Sequence, residues 1–373
     1  MNNEQLKYQI GISLIPNVGP VTAKKVIAYV GSLEGVFKEK PSKLLKIPNV
    51  GEYLANQISK HNVLPRAEEE IQFITKHNIK VKFYLDKDFP HRLRHCPDAP
   101  LLYFYRGNAD LNCRKVISIV GTRASTDYGN EICDLLITKI KERGHHAVIV
   151  SGLAHGIDVA AHRSAVKNSL PTVAVLGHGL DTIYPSVHKD IAREIVKNGA
   201  LITEFPHKCR FIKNNFVRRN RIVAGLADAV IIVESAKRGG ALITAEIANS
   251  YNRDVFAFPG RIDDTRSEGC NWLIKTHKAN LIEKIEDLEY IMGWETAIKK
   301  PKEIQKEIFP ELDPEEERII QLLQKEHELP LDIISIKLNL QVSKVSALLL
   351  NLEFAGLIKS LPGKVFSLKK SSP

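Results

Sequence analysis

The chain has 373 residues, of which 44% are hydrophobic and 26% charged, and a formal net charge of +10. That length accommodates two or three domains with cores of their own, and no apolar run approaches the roughly 20 residues a membrane helix requires. The excess of positive charge points to a polyanionic partner.

The N-terminus, Met1-Asn2-Asn3-Glu4-Gln5, lacks a basic start followed by an apolar stretch, so a cytoplasmic protein is expected. Residues 1–78 read as a helical domain, with short apolar-periodic segments broken at Pro16, Gly31, Pro41 and Pro48. The pentapeptide Ile-Pro-Asn-Val-Gly occurs twice here, at 15–19 and 47–51. Each copy is followed at the same offsets by an alanine (Ala23, Ala55) and an aliphatic residue (Val26, Ile58). Each is therefore expected to be a turn entering an amphipathic helix.

Residues 79–292 alternate β-branched runs with helical stretches. The runs are Val116 to Val120, Ala147 to Val150, Thr172 to Leu176, Leu201 to Thr203, Ala229 to Val233 and Val255 to Phe258, with Asn280 to Ile282 as a seventh. Continuous apolar runs separated by helices predict a doubly wound, Rossmann-like α/β domain with a parallel sheet covered on both faces. A Lys- and Glu-rich linker is expected over 293–312. Residues 313–373 then read as three short helices, Glu315 to Gln324, Leu331 to Leu338 and Ser343 to Ala355, followed by a hairpin turned at Gly363, which is a winged helix. The five cysteines, Cys96, Cys113, Cys133, Cys209 and Cys270, form no C-x-x-C pair, so neither a zinc site nor a disulfide framework is expected.

Ligands of open α/β sheets bind at the carboxyl ends of the strands, and there the chain is small and polar. The segments are Gly121-Thr122-Arg123, Ser151-Gly152-Leu153-Ala154, Gly177-His178-Gly179 and Arg238-Gly239-Gly240. Glycines admit backbone amides close to a bound group, and the helix N-termini that follow favour an anion, so a phosphate-binding crevice is expected. No G-x-G-x-x-G follows the first run and no Walker motif is present, so NAD and ATP lack their fingerprints. Between Phe205 and Arg221 lie Lys208, Arg210, Lys213, Arg218, Arg219 and Arg221 with no acid, interleaved with Phe205, Phe211 and Phe216. Cations that track a backbone beside rings that stack on bases form the pattern of single-strand recognition. The candidate contacts are Gly121, Thr122, Arg123, Ser151, Gly152, Lys213, Phe216, Arg218, Arg219, Asn220, Arg221, Gly239 and Gly240. His155, Asp158 and His162 fall at i, i+3 and i+7, but a carboxylate near a helix N-terminus and packed histidines account for them. No catalytic residue, cofactor or metal is expected.

The ordered blocks Ile119 to Arg123, Ser151 to His162, Ala174 to Asp181 with Tyr184-Pro185, Thr203 to Pro206, Arg219 to Leu226, Gly240 to Ala245, Phe258 to Gly260 and Gly269 to Asn271 resemble the DNA-processing protein A (DprA/Smf) family. The resemblance implies a non-enzymatic, homodimeric protein that binds single-stranded DNA and loads a RecA-type recombinase in natural transformation. It also implies a phosphate pocket at Gly121, Arg123 and Arg218 to Arg221. Here Arg238-Gly239-Gly240 replaces the family's more usual Ser-Gly turn. The two pentapeptides resemble the hairpins of a tandem helix-hairpin-helix module. Two other classes are a nucleoside-monophosphate phosphoribohydrolase-like enzyme and a duplex-binding winged-helix regulator. Against the first, Thr244 lies four residues after Gly240 and the enzyme motif's proline is missing. Against the second, Lys344 is the one cation of the would-be recognition helix, which points to a protein contact; Asn351 and Lys364 are its DNA candidates.

Overall fold

A computed structural model describes residues 3–295, 312–361 and 363–369, in two compact units, Met1–Ile298 and Lys299–Pro373. The linker expected over 293–312 falls mostly, at 296–311, outside the described residues.

In the first unit six helices precede the sheet: Asn3–Leu14, Pro20–Val30, Leu33–Lys38, Pro41–Leu44, Glu52–Ser59 and Leu64–Lys76. The pentapeptides adopt one geometry twice. Val18 N donates to Ile15 O at 3.3 Å and Val50 N to Ile47 O at 3.0 Å, with Asn17 (φ 63°) and Asn49 (φ 68°) left-handed at the third position of each turn. Asparagine tolerates that region, and the preceding proline presets the second position. Gly19 and Gly51 then cap the Pro20 and Glu52 helices, which bury Ala23 with Val26 and Ala55 with Ile58. Asn17 Nδ2 donates to Tyr53 Oη at 2.8 Å, tying one hairpin to the helix of the other.

The strands are β1 (Lys80–Phe83), β2 (Leu102–Gly107), β3 (Lys115–Val120), β4 (Ala147–Ser151), β5 (Thr172–Val175), β6 (Ala200–Thr203), β7 (Ala229–Ile232), β8 (Asp254–Ala257) and β9 (Asn280–Leu281). They form one sheet in the order β1-β2-β6-β5-β4-β3-β7-β8-β9. From β6 to β9 the ladder is parallel, as the apolar runs predict. Two further strands outside the apolar runs add an antiparallel edge: β1 pairs antiparallel with β2, and β2 with β6. The connection between β1 and β2 carries only the one-turn helix His91–Arg94, with no full helix to cross the sheet, and the chain returns in the opposite direction.

Side chains of the central strands alternate between two cores. Val116, Val120, Val148, Val150, Val230 and Ile232 face the helices Lys213–Leu226, Gly240–Ser250 and Glu268–Lys275. Ile117, Ile119, Ile149, Ile231 and Phe256 face Asp127–Glu142, Ile157–Lys167 and Ile285–Met292. The helical region shares a third core with β1 and β2, in which Ile10, Val36, Leu44 and Ile58 pack with Phe83, Leu102 and Phe104. The chain winds outward from β3 to β6 and resumes on the other side of β3 at β7. The switch point, where open sheets hold their ligands, is therefore the carboxyl end of β3 and β7.

The second unit has helices Pro314–Glu326, Leu331–Leu338 and Val342–Phe354 and a three-stranded sheet, β10 (Glu328–Pro330), β11 (Ile358–Leu361) and β12 (Val365–Leu368), in the order β10-β12-β11. The winged helix is as expected except for β10, a three-residue strand too short to show periodicity. Among the described residues no single helix is long and apolar enough to cross a membrane.

Candidate functional site

At the switch point β3 runs into Gly121-Thr122-Arg123, and the chain turns into the helix Asp127–Glu142. The anion seat expected there is filled by the protein itself. Glu234, buried just after β7, accepts from Thr126 N at 3.0 Å and from Thr126 Oγ1, while Thr126 Oγ1 accepts from Gly129 N at 3.1 Å. At the start of the helix Ile157–Lys167 the first amide is taken from within, Ile157 N donating to Thr122 O at 3.2 Å, and in the loop before it Ala154 N donates to Asp158 Oδ2 at 3.4 Å. Like the helix Lys213–Leu226, the helix Gly240–Ser250 has no side-chain cap, and a Cβ on Gly240 would meet nothing within 4 Å. Its free amides face an open cavity.

That cavity, about 660 Å³, is lined by Gly121, Thr122 and Arg123 after β3, by Arg238, Gly239 and Gly240 after β7, and by Lys213, Phe216, Val217, Arg219 and Asn220 of the helix Lys213–Leu226. Arg123, Lys213 and Arg238 are exposed, and none has an ion-pair partner among the described residues. Arg219 is different: it is buried beneath the cavity 3.9 Å from Asp158, and its Nε has no hydrogen-bond partner. Burial pushes the Asp158 carboxyl up and the Arg219 guanidinium down, while the attraction between them opposes both shifts. Gly152 makes room for this arginine, because a Cβ there would lie 1.4 Å from Arg219 Nη1.

Part of the lining is aromatic. Phe211 lies 5.9 Å from Phe216 and 5.3 Å from Tyr184 between ring centroids, and stacks on the buried His178 at 5.2 Å. Phe211 is 46% exposed and Tyr184 52%, so both offer ring faces to the opening.

Of the expected contacts, Gly121, Thr122, Arg123, Lys213, Phe216, Arg219, Asn220, Gly239 and Gly240 are brought together around the cavity. Ser151, Gly152, Arg218 and Arg221 do not line it. Ser151 is buried, with Oγ donating to Ile119 O at 2.6 Å. Arg221 pairs with Glu204 and donates to Asp98 O. Arg218 lies 3.6 Å from Glu204 and over the Phe205 ring at 5.3 Å. Phe205 itself is only 7% exposed and stacks on nothing from outside. Tyr184, Val217, Arg238 and Ile243 line the cavity although none was among the expected contacts. One signal was available: Lys213, Phe216, Val217 and Asn220 follow i, i+3, i+4, i+7, and Arg218, at i+5, falls off that stripe.

His155 and His188 meet edge to face at 5.0 Å, and His162 is buried against Thr172. No group of three His, Cys, Asp or Glu among the described residues could hold a metal ion.

Residues 80–292 match the family model for DNA recombination-mediator protein A, and residues 307–364 match the DprA winged helix domain. The chain is 31% identical to Protein Smf of Synechocystis sp. over 97% of its own length and 98% of that protein's. It resembles the X-ray structure of DNA processing protein A from Streptococcus pneumoniae with a TM-score of 0.67 and 32% identity, over 76% of this chain and 97% of that one. A structure of DNA processing protein A from Helicobacter pylori, described for its single-stranded DNA binding mode, aligns with a TM-score of 0.52 and 28% identity, over 57% and 95% of the two chains.

Proposed function

Because the chain belongs to the DNA recombination-mediator protein A family, we propose that it binds single-stranded DNA in the cavity at the switch point. The family is one of mediators rather than enzymes, so the phosphoribohydrolase reading is set aside. One observation carries the proposal. Three cations without an ion-pair partner among the described residues, Arg123, Lys213 and Arg238, and the uncapped helix N-terminus at Gly239-Gly240 line one cavity together with the rings of Tyr184, Phe211 and Phe216. Phosphates fit the cations and amides, and bases fit the rings. Arg219 supports the floor, and Asn220 offers an amide at the rim. Arg218, half-exposed beside the opening, joins a longer strand; Arg221, Ser151 and Gly152 hold the frame.

On the same premise the bound strand is protected and passed to a RecA-type recombinase in natural transformation, in the cytoplasm, by a homodimer formed through the α/β region. The family's description as a recombination mediator supports the hand-over. The winged unit suits a protein contact better than duplex reading. Lys344, the single cation of the helix Val342–Phe354, is held by Glu315 at 2.6 Å, while Leu350 and Phe354 are exposed.

The test is fluorescence anisotropy with labelled oligo-dT and duplex over a salt series. Each phosphate contact to a single strand contributes a slope of about −0.7 in log affinity against log salt. Arg123→Ala with Lys213→Ala is expected to weaken oligo-dT binding at least about tenfold and to flatten the slope by about 1.4. Wild-type affinity and slope in this variant would overturn the site.

A further inference from the structure

The loop between β6 and the helix Lys213–Leu226 carries Phe211 and Ile212 to the cavity, yet much of what holds it belongs to the N-terminal helical region. On the helix Leu64–Lys76, Arg66, Glu69, Glu70 and Phe73 fall at i, i+3, i+4 and i+7 and so share one face. Glu70 is only 1% exposed. Its carboxylate accepts from His207 N at 3.1 and 3.2 Å and from His207 Nδ1 at 2.5 Å, and Arg66 Nη2 donates to Glu70 Oε2 at 2.9 Å. Arg66 also donates to His207 O, so the main chain of this one residue is gripped at both its N–H and its C=O. The His207 ring lies flat on Phe73, with centroids 4.3 Å apart and planes 10° from parallel.

The next residue shows why such a grip is needed. Lys208 is left-handed at φ 56°, a region that a long unbranched side chain adopts only when its surroundings impose it. Its N–H donates to Asp181 Oδ2 at 3.2 Å and its ammonium pairs with Glu69 at 2.6 Å. Three residues later Phe211 stacks on His178 and meets Tyr184.

We propose that Glu70 is a positioning residue for strand binding. By fixing His207 and the left-handed turn at Lys208, it presents Phe211 to the bases, so the helical region sets the affinity of a cavity that it does not line. This rests on the single-strand reading of that cavity.

The experiment uses the full chain and labelled oligo-dT over a salt series, with thermal melting as a fold control. Glu70→Ala is expected to lose about tenfold in affinity, because the strand must then order the loop itself. The salt slope is expected to stay at the wild-type value, since no phosphate contact is removed. Lys208→Asn in the Glu70→Ala background is expected to recover about threefold, because asparagine accepts the left-handed turn unaided. Should Glu70→Ala fail to fold, Phe73→Leu removes the stacked ring and leaves the ionic grip, with a loss of about threefold expected. Wild-type affinity in a folded Glu70→Ala or Phe73→Leu variant overturns the inference, as does a slope that falls together with the affinity. Failure of the wild-type chain to bind oligo-dT overturns the single-strand reading instead.

Discussion

Gly152 and Arg219 form one device. The glycine leaves a space that a guanidinium fills, and that guanidinium sits with Asp158 under the site. Gly152→Ala puts a methyl group into the space and drives Arg219 off Asp158. Separating a buried pair costs about 3–5 kcal/mol, because it leaves a charge without a partner. The variant is therefore expected to unfold at lower urea and to bind oligo-dT more weakly, measured by denaturation and anisotropy; a stable, fully binding Gly152→Ala would contradict this account of the floor. The neighbouring arginines show what composition hides. In Arg218-Arg219-Asn220-Arg221 the cations look equivalent, but successive residues on a helix point about 100° apart. Arg218 faces Glu204 and the Phe205 ring, Arg219 is buried beside Asp158, and Arg221, also buried, braces Glu204 and the Asp98 carbonyl.

Among the elements, the paired hairpins give the cleanest test of backbone chemistry. Asn49 is left-handed, and its alanine variant would carry the cost of that region, about 1–2 kcal/mol per residue. Asn49→Ala is expected to lose roughly that much stability and Asn49→Gly little or none, read from urea midpoints. The hairpins were legible because their signal is local: a proline, a residue tolerant of positive φ and an apolar residue at a fixed offset. The parallel strands were legible for a similar reason, since strands buried on both faces must be apolar throughout. β1 and β2 escaped because their pairing depends on partners elsewhere in the chain, as did β10 in the wing. The site divides in the same way. Glycines and cations announced the crevice, but nothing near Thr126 in the sequence shows that Glu234, 108 residues away, occupies the helix start.

For the molecule as a whole, burial sets the response to acid. It lowers the pKa of His61, His145, His162, His178 and His188. His162 is the extreme, pushed down to about 3. Thr172 spends its hydroxyl proton on Ile149 O at 2.9 Å, so His162 Nδ1 must donate to Thr172 Oγ1 at 2.8 Å, and Nε2 is left buried without a partner. The native state keeps this ring neutral while the unfolded chain protonates it near the ordinary value of 6.5. Between those values the unfolded state binds more protons, so stability is full above about pH 6.5 and falls as the pH drops toward 3. Each pH unit well inside that window costs about 1.4 kcal/mol for this one group. His162→Gln is expected to flatten the decline of the urea midpoint between pH 7 and pH 5; an unchanged pH profile would show that the ring does not govern it.

Glu234 gives the binding edge a property that no single contact supplies. Its carboxylate is a tethered anion already seated at one of the two helix starts beside β3 and β7, and only the Gly239-Gly240 end is left for a guest. On the proposed single-strand reading, a free mononucleotide brings one phosphate to this cavity. A polymer would reach the separate charges of Arg123, Lys213 and Arg238 as well, one phosphate at a time. With one seat held by Glu234, affinity on that proposed reading grows with the length of the chain that is bound.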